Sequence, residues 1–133
     1  MIYVWKNKSG EIMMAIGNLT DVPANAQFFD ISDPTLIIWD DTIGQFRLKN
    51  LDELKKDKMN QLKNYITNLL SPTDWVIIKL QSLRDEGWSD TEIQAEMQKY
   101  ADILAQRKAI REWNLQMEQT IQNAQSIEEL EGI

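Results

Sequence analysis

The sequence predicts an α+β chain in which a small N-terminal antiparallel β-meander leads through a charged linking helix into a helical hairpin or bundle with one long helix. Three observations carry this. Residues 1–48 alternate short β-branched and aromatic runs with clusters of Gly, Pro, Asn and Asp, the pattern of strands joined by turns. From residue 51 onward apolar residues recur every three or four positions, the period of a helix buried along one face. Asn50, Ser71, Ser89 and Ser126 each stand three positions before an acidic residue, which places four helix starts. The division that follows is a β-meander domain over 1–48, a linking helix over 49–70 and a helical module over 71–133.

Taken in order, residues 2–5 and 11–17 flank Lys6-Asn7-Lys8-Ser9-Gly10 and read as a hairpin. A proline loop at 21–26 separates them from a third strand at 27–31, which Ser32-Asp33-Pro34 ends. An apolar run at 35–39, a turn at Asp40-Asp41-Thr42-Ile43-Gly44 and an alternating strand at 45–48 complete the meander. So small a sheet needs something packed on its apolar face. In 51–70 the positions Met59, Leu62, Ile66 and Leu69 make an apolar stripe, with Lys55, Lys56, Lys58 and Lys63 on the remaining surface. Ser71 with Asp74 and Pro72 marks a cap at which one helix stops and the next begins. Gly87 and Gly132 fall where helix ends favour a left-handed residue. A long helix over 90–124 carries Ile93, Met97, Tyr100, Leu104, Arg107, Ile110, Trp113, Met117, Ile121 and Ala124 along one stripe, suited to a hairpin with the 51–70 helix or to a seam with another copy of the chain.

Composition narrows the chemistry. The 133 residues contain neither Cys nor His, so thiol nucleophiles, imidazole bases and the usual zinc, copper and haem ligands are absent together. No cofactor or metal is expected, and no catalytic residue stands out. Ser71 and Thr73 have no activating partner in view, and no G-x-S-x-G or P-loop occurs. The carboxylates around Asp40 do not follow the calcium-loop spacing and read as a turn. Those at Asp85, Glu86, Asp90 and Glu92 read as caps and solvated charge. Net charge is -7, with 8 basic and 9 acidic residues in 1–70 against 6 and 12 in 71–133. Such a balance argues against nucleic acid as a partner. No apolar run approaches the length of a membrane span, and the apolar start at 2–5 is too short for a secretory leader, so neither a membrane nor export is expected.

Five tryptophans suit either a core or an interface. Trp75 and Trp113 fall on apolar helical faces and read as core ahead of binding. Trp88 stands in a polar turn and reads equally as either. If the chain uses a binding surface, Trp88, Trp113, Met117 and Ile121 are its candidate residues, with the core as the first reading for all but Trp88.

One longer pattern remains. The segment Leu69-Leu70-x-x-Thr73-Asp74-Trp75, followed downstream by Tyr100-x(6)-Arg107-x-Ala109-Ile110-Arg111, resembles the small tail-fibre assembly chaperones of bacteriophages, with a weaker likeness over 38–48. The resemblance covers about the second half of the chain. It departs from the family in the capped helix and turn between Trp75 and Tyr100, and in the acidic ending 126–133. It implies a non-enzymatic protein that binds a tail-fibre or baseplate protein in the host cytoplasm and assists its folding or oligomerisation. The alternative is a structural component that stays in the virion tail, with its long helix bundling against copies of itself or the fibre. A carboxylate-dependent hydrolase has only abundant Asp and Glu behind it.

Overall fold

Strands precede helices in the computed structural model, which describes residues 1–17 and 20–133. The strands are β1 (Ile2–Lys6), β2 (Ile12–Ile16), β3 (Gln27–Phe29), β4 (Ile37–Asp40) and β5 (Gln45–Leu48). The helices are α1 (Leu51–Leu70), α2 (Asp74–Asp85), α3 (Asp90–Lys99), α4 (Ala101–Asn123) and α5 (Ile127–Glu131), with 3-10 turns at Pro34–Leu36 and Ser71–Thr73. This is the expected α+β arrangement. The chain divides into two compact units, Met1–Leu54 and Lys55–Ile133, with the boundary inside α1. That boundary redistributes the charge: the first unit holds 4 basic and 8 acidic residues and the second 10 and 13, because most of the Lys-rich α1 belongs to the helical unit.

In the first unit the strands form two antiparallel sheets, β2-β1-β3 and β4-β5. β1 is central, pairing Ile2 with Ile16 and Phe29, and Val4 with Met14 and Gln27. Side chains two apart share a face of a strand, so Ile2 and Val4 point the same way. With Phe46 of β5 they make a fully buried core, edged by Phe29, Ile31, Ile37 and Trp39. The β4-β5 hairpin is thus the cover that so small a sheet needs.

A side chain joins the two sheets. The Gln27 carboxamide accepts from the Phe46 amide at 2.7 Å and donates to the Phe46 carbonyl at 3.1 Å, doing for one residue what a neighbouring strand would do. Trp39 meets Phe46 edge-on at 4.9 Å, and the Lys6 ammonium lies 3.9 Å from the Trp39 ring centre.

Arg47 closes this unit. Its Nε donates to Asp40 at 2.7 Å, and Nη1 and Nη2 grip both oxygens of Glu53 at 2.6 and 3.1 Å. Glu53 also accepts from the Asn50 amide while Asn50 Oδ1 accepts from the Glu53 amide, the reciprocal cap expected at the start of α1. Hydrogen bonds from Arg47 are the main reason that Asp40 and Glu53 both sit below the usual carboxylate range. A carboxylate with a lowered folded pKa stabilises the fold above its unfolded pKa, and that contribution is lost as pH falls through the folded value. Stability should therefore decline as pH drops from about 5 towards 2. The decline should be shallower in Arg47→Met, followed by denaturant titration at each pH. Parallel losses in both chains would remove this triad from the acid response.

In the helical unit, α1 and α4 run antiparallel. Three contacts step along them in opposite directions: Lys55 Nζ to the Gln122 carbonyl at 2.8 Å, Tyr65 edge-on to Trp113 at 5.8 Å, and Arg107 to the Leu70 carbonyl at 2.9 Å. Lys55 places its positive charge on the carbonyl end of α4, where the helix dipole favours it. The buried apolar residues of the unit are Leu62, Ile66 and Leu70 of α1, Val76, Leu80 and Leu83 of α2, Ile93 of α3, and Ile121, Ala124 and Leu130 from the end of α4 onward. The stripe on α1 thus passes through Leu70 rather than Leu69, which is exposed. Spacing of four at each step drifts slowly around a helix of 3.6 residues per turn.

Two helix boundaries depart from expectation. Ser71 does not cap α2: its hydroxyl donates back to the Thr67 carbonyl at 2.6 Å, and the chain passes from α1 to α2 through a single 3-10 turn. Pro72 at the start of that turn lacks an amide hydrogen, which accounts for the change of hydrogen-bond pattern without a loop. The long helix also bends where no Gly or Pro stands, at Tyr100, which has φ -111° and ψ 19° and separates α3 from α4. Ser89 and Ser126 do cap, each accepting from the amide three positions on.

Gly87 ends α2 with φ +82°, the Gly87 amide bonding the Arg84 carbonyl and the Trp88 amide the Leu83 carbonyl. This pair of bonds is the Schellman arrangement. Nothing lies within 4 Å of a Cβ added there, so Gly87→Ala meets a backbone penalty alone and should cost about 1 kcal/mol in urea unfolding. Gly132, by contrast, has φ -77° rather than the left-handed conformation expected of it, and Gly132→Ala should be close to neutral in the same measurement. Among the described residues no helix is long and apolar enough to cross a membrane.

Candidate functional site

The residues of the Leu69–Trp75 and Tyr100–Arg111 segments meet in the helical unit, where they make two adjoining clusters. In the first, Arg107 enters the packed interior with only 7% of its surface exposed. Its Nη1 donates to the Leu70 carbonyl at 2.9 Å and to Thr73 Oγ1 at 2.8 Å, and its Nη2 donates to Asp74 Oδ1 at 3.0 Å. Thr73 in turn donates to the Leu70 carbonyl at 3.2 Å. A planar guanidinium suits this work, because it can hold several acceptors in fixed directions at once. Its apolar-stripe position in α4 carries it to the bend between α1 and α2.

In the second cluster, Trp75 meets Tyr100 edge-on at 5.4 Å, and Lys79 Nζ donates to the Tyr100 hydroxyl at 2.9 Å. Lys79 also lies 3.5 Å from Glu96, whose other oxygen accepts from Lys99 at 2.8 Å. The Tyr100 hydroxyl is the main cause that holds the Lys79 ammonium above its ordinary range, and the Glu96 charge adds a smaller part. Lys99 does the reverse for the Glu96 carboxyl, holding it low. These anchors give a physical cause for the bend at Tyr100: contacts to α2 fix a residue whose own propensity would continue the helix.

The seam between α1 and α4 has two unlike flanks. One is a polar cleft of about 440 Å³ with Lys63, Asp74, Arg111 and Glu118 on its walls. The other is a shallower apolar groove of about 270 Å³ formed by Tyr65, Leu69, Ala109, Ile110 and Trp113, with Gln106 at its side. Tyr65, Leu69 and Trp113 are all exposed large side chains. Apolar surface gathered in this way is the usual mark of a protein-binding site.

The structure sorts the candidate residues. Trp113 stands in the apolar groove, and Trp88 is exposed at the turn between α2 and α3, where its Nε1 donates to Glu86 at 3.1 Å. Met117 is half-buried. Ile121 is 2% exposed and belongs to the core, which is the first reading of its place in the stripe and removes it from any binding surface. The core reading of Trp75 and Trp113 is corrected, since both are exposed. The reason is rotational: on α2 the buried line runs through Val76, Leu80 and Leu83, leaving Trp75 one position off it. On α4, Arg107 and Ile121 are buried and Trp113 lies beside that line. Tyr65, Ile77, Ile78 and Leu115 are exposed apolar residues that sequence reasoning did not single out. Tyr65 and Leu69 are four apart and off the stripe used by the core, a second apolar line on α1 visible in its spacing.

Among the described residues no group of three or more acidic, His or Cys side chains could hold a metal ion. Comparisons with protein-family models, with curated proteins and with solved structures find no match to this chain.

Proposed function

We propose that this chain is a non-enzymatic bacteriophage tail-fibre assembly chaperone that binds a fibre or baseplate protein during assembly in the host cytoplasm. The observation that carries the reading is the apolar groove of Tyr65, Leu69, Ile110 and Trp113, flanked by the residues through which the chain resembles that family. Bulky side chains on two antiparallel helices offer a rigid surface that can cover an apolar segment of an unassembled fibre, and an aromatic pair supplies the kind of anchor that dominates such contacts. The Arg107 junction supports this indirectly. It fixes the bend between α1 and α2 at one end of the groove, so Leu70, Thr73, Asp74 and Arg107 act as positioning residues and Leu69 and Trp113 as contacts. The net charge of -7 favours solubility of the complex.

Co-expression with the fibre protein encoded beside it tests the reading. The wild-type chain should raise the yield of soluble, trimeric fibre, and Trp113→Ala should lower that yield with little change in the chaperone's own stability. Unchanged fibre yield with and without the chain would end the proposal. Mass spectrometry of purified particles separates the two roles, because stoichiometric retention would replace the transient chaperone by a structural component of the tail.

A further inference from the structure

β2 is an outer strand of the three-stranded sheet, and among the described residues no strand pairs with its far edge. Its sequence, Ile12-Met13-Met14-Ala15-Ile16, contains no charge and no proline. Ile12, Met14 and Ile16 lie on the face that they share with buried Ile2 and Val4, yet are 57%, 41% and 64% exposed. Met13, on the opposite face, is 39% exposed. Folded proteins normally protect an outer strand with lysine, proline or a bulge. This strand has apolar side chains on both faces and an open main-chain edge between them. A helix or a lipid surface would cover one face and leave the edge groups unpaired. Another uncharged strand pairs the edge and sets an apolar neighbour beside the side chains of both faces at once.

The segment is nearly palindromic about Met14, and this selects the partner. We propose that β2 pairs antiparallel with β2 of a second copy of this chain about a two-fold axis at Met14, joining two three-stranded sheets into one of six in the order β3-β1-β2-β2-β1-β3. In this register Ile12 faces Ile16 of the second copy, Met13 faces Ala15, and Met14 faces itself. Each residue meets a like apolar group, as a self-complementary two-fold interface requires. Charge agrees with the register. Glu11 falls opposite Gly17 of the second copy, and the two Glu11 side chains are roughly 20 Å apart along the strands, beyond the range of about 8 Å over which surface charges interact at physiological salt. With a net charge of -7 opposing association elsewhere, this uncharged edge is where two copies can approach.

The test is sedimentation of the full chain over a wide concentration range, with two variants. The wild type should pass from monomer to dimer as concentration rises. Met14→Lys, which sets two ammonium groups face to face on the axis, should weaken the dimer by at least about tenfold. The chain has no cysteine, so Met14→Cys gives a second readout that does not depend on how the lysine variant folds. Opposed residues in an antiparallel pair have Cα atoms about 4.5 to 5.5 Å apart, within the span of a disulfide. Mild oxidation should therefore yield a covalent dimer of Met14→Cys, whereas Ile78→Cys, at a more exposed helical site, should form no covalent dimer. A wild type that remains monomeric at every concentration, a Met14→Lys chain that dimerises as strongly as wild type, or a Met14→Cys chain that links no better than Ile78→Cys would each overturn the proposal.

Discussion

Truncating Phe46 to alanine is expected to destabilise the β unit by about 3 to 5 kcal/mol, the range for removing a buried aromatic side chain. Phe46 is 5% exposed and forms the core with Ile2 and Val4 alone among the buried residues described in this unit, so there is little else to close the gap. It also supplies the ring that Trp39 meets edge-on. At roughly 0.05 to 0.15 kcal/mol per residue, a unit of this size commands only a few kcal/mol in all. The substitution therefore takes most or all of it. Hydrogen exchange is the direct measurement: amides of β1 and β5 should lose their protection in Phe46→Ala. Retention of that protection would show that the Gln27 bridge and the Arg47 triad hold the sheets together without a packed centre.

The second large effect is expected at Arg107. Arg107→Met removes a buried guanidinium bonded to the Leu70 carbonyl, Thr73 and Asp74, and should cost about 2 to 4 kcal/mol in denaturant unfolding. The figure stays at that level because the Asp74 side chain is about half exposed, and water can solvate it once the arginine is gone. Arg107→Lys keeps the charge but gives up the planar fork, and should recover only part of the loss. Asp74→Asn should be the mildest of the three, at about 1 kcal/mol, since the bonds to Leu70 and Thr73 survive. If Asp74→Asn proves as costly as Arg107→Met, the ion pair rather than the buried carbonyl and hydroxyl contacts holds the bend.

Much of this architecture was legible in the residues. Turn chemistry around Gly10 and Gly44 placed the hairpins, and capping by Asn50 and Ser89 placed the starts of α1 and α3, because both are decided within a few residues of the chain. The bend at Tyr100 was not, since its cause is Trp75 and Lys79 on another helix. Ser71 misled for a related reason: its hydroxyl had a carbonyl of the preceding turn to bond, and took it in place of the following amides. The candidate surface was half legible. An apolar stripe says which side of a helix is sticky but not how wide the neighbouring helix is, so Trp113 beside the seam and Ile121 within it look alike in sequence. The open edge of β2 was hidden because a run of apolar residues reads as a buried strand, whereas its position at the end of the sheet is settled only by pairing.

The placement of the indoles has an optical consequence. Trp5 and Trp39 belong to the first unit, and Trp75, Trp88 and Trp113 to the second. Replacing the last three with phenylalanine leaves a chain whose indole emission comes from the β unit alone, with Trp39 held between an aromatic edge and an ammonium group. The converse replacement of Trp5 and Trp39 reports from the exposed indoles of the helical unit. Emission wavelength and quenching by iodide in this pair of chains can follow the melting of each half by its own light.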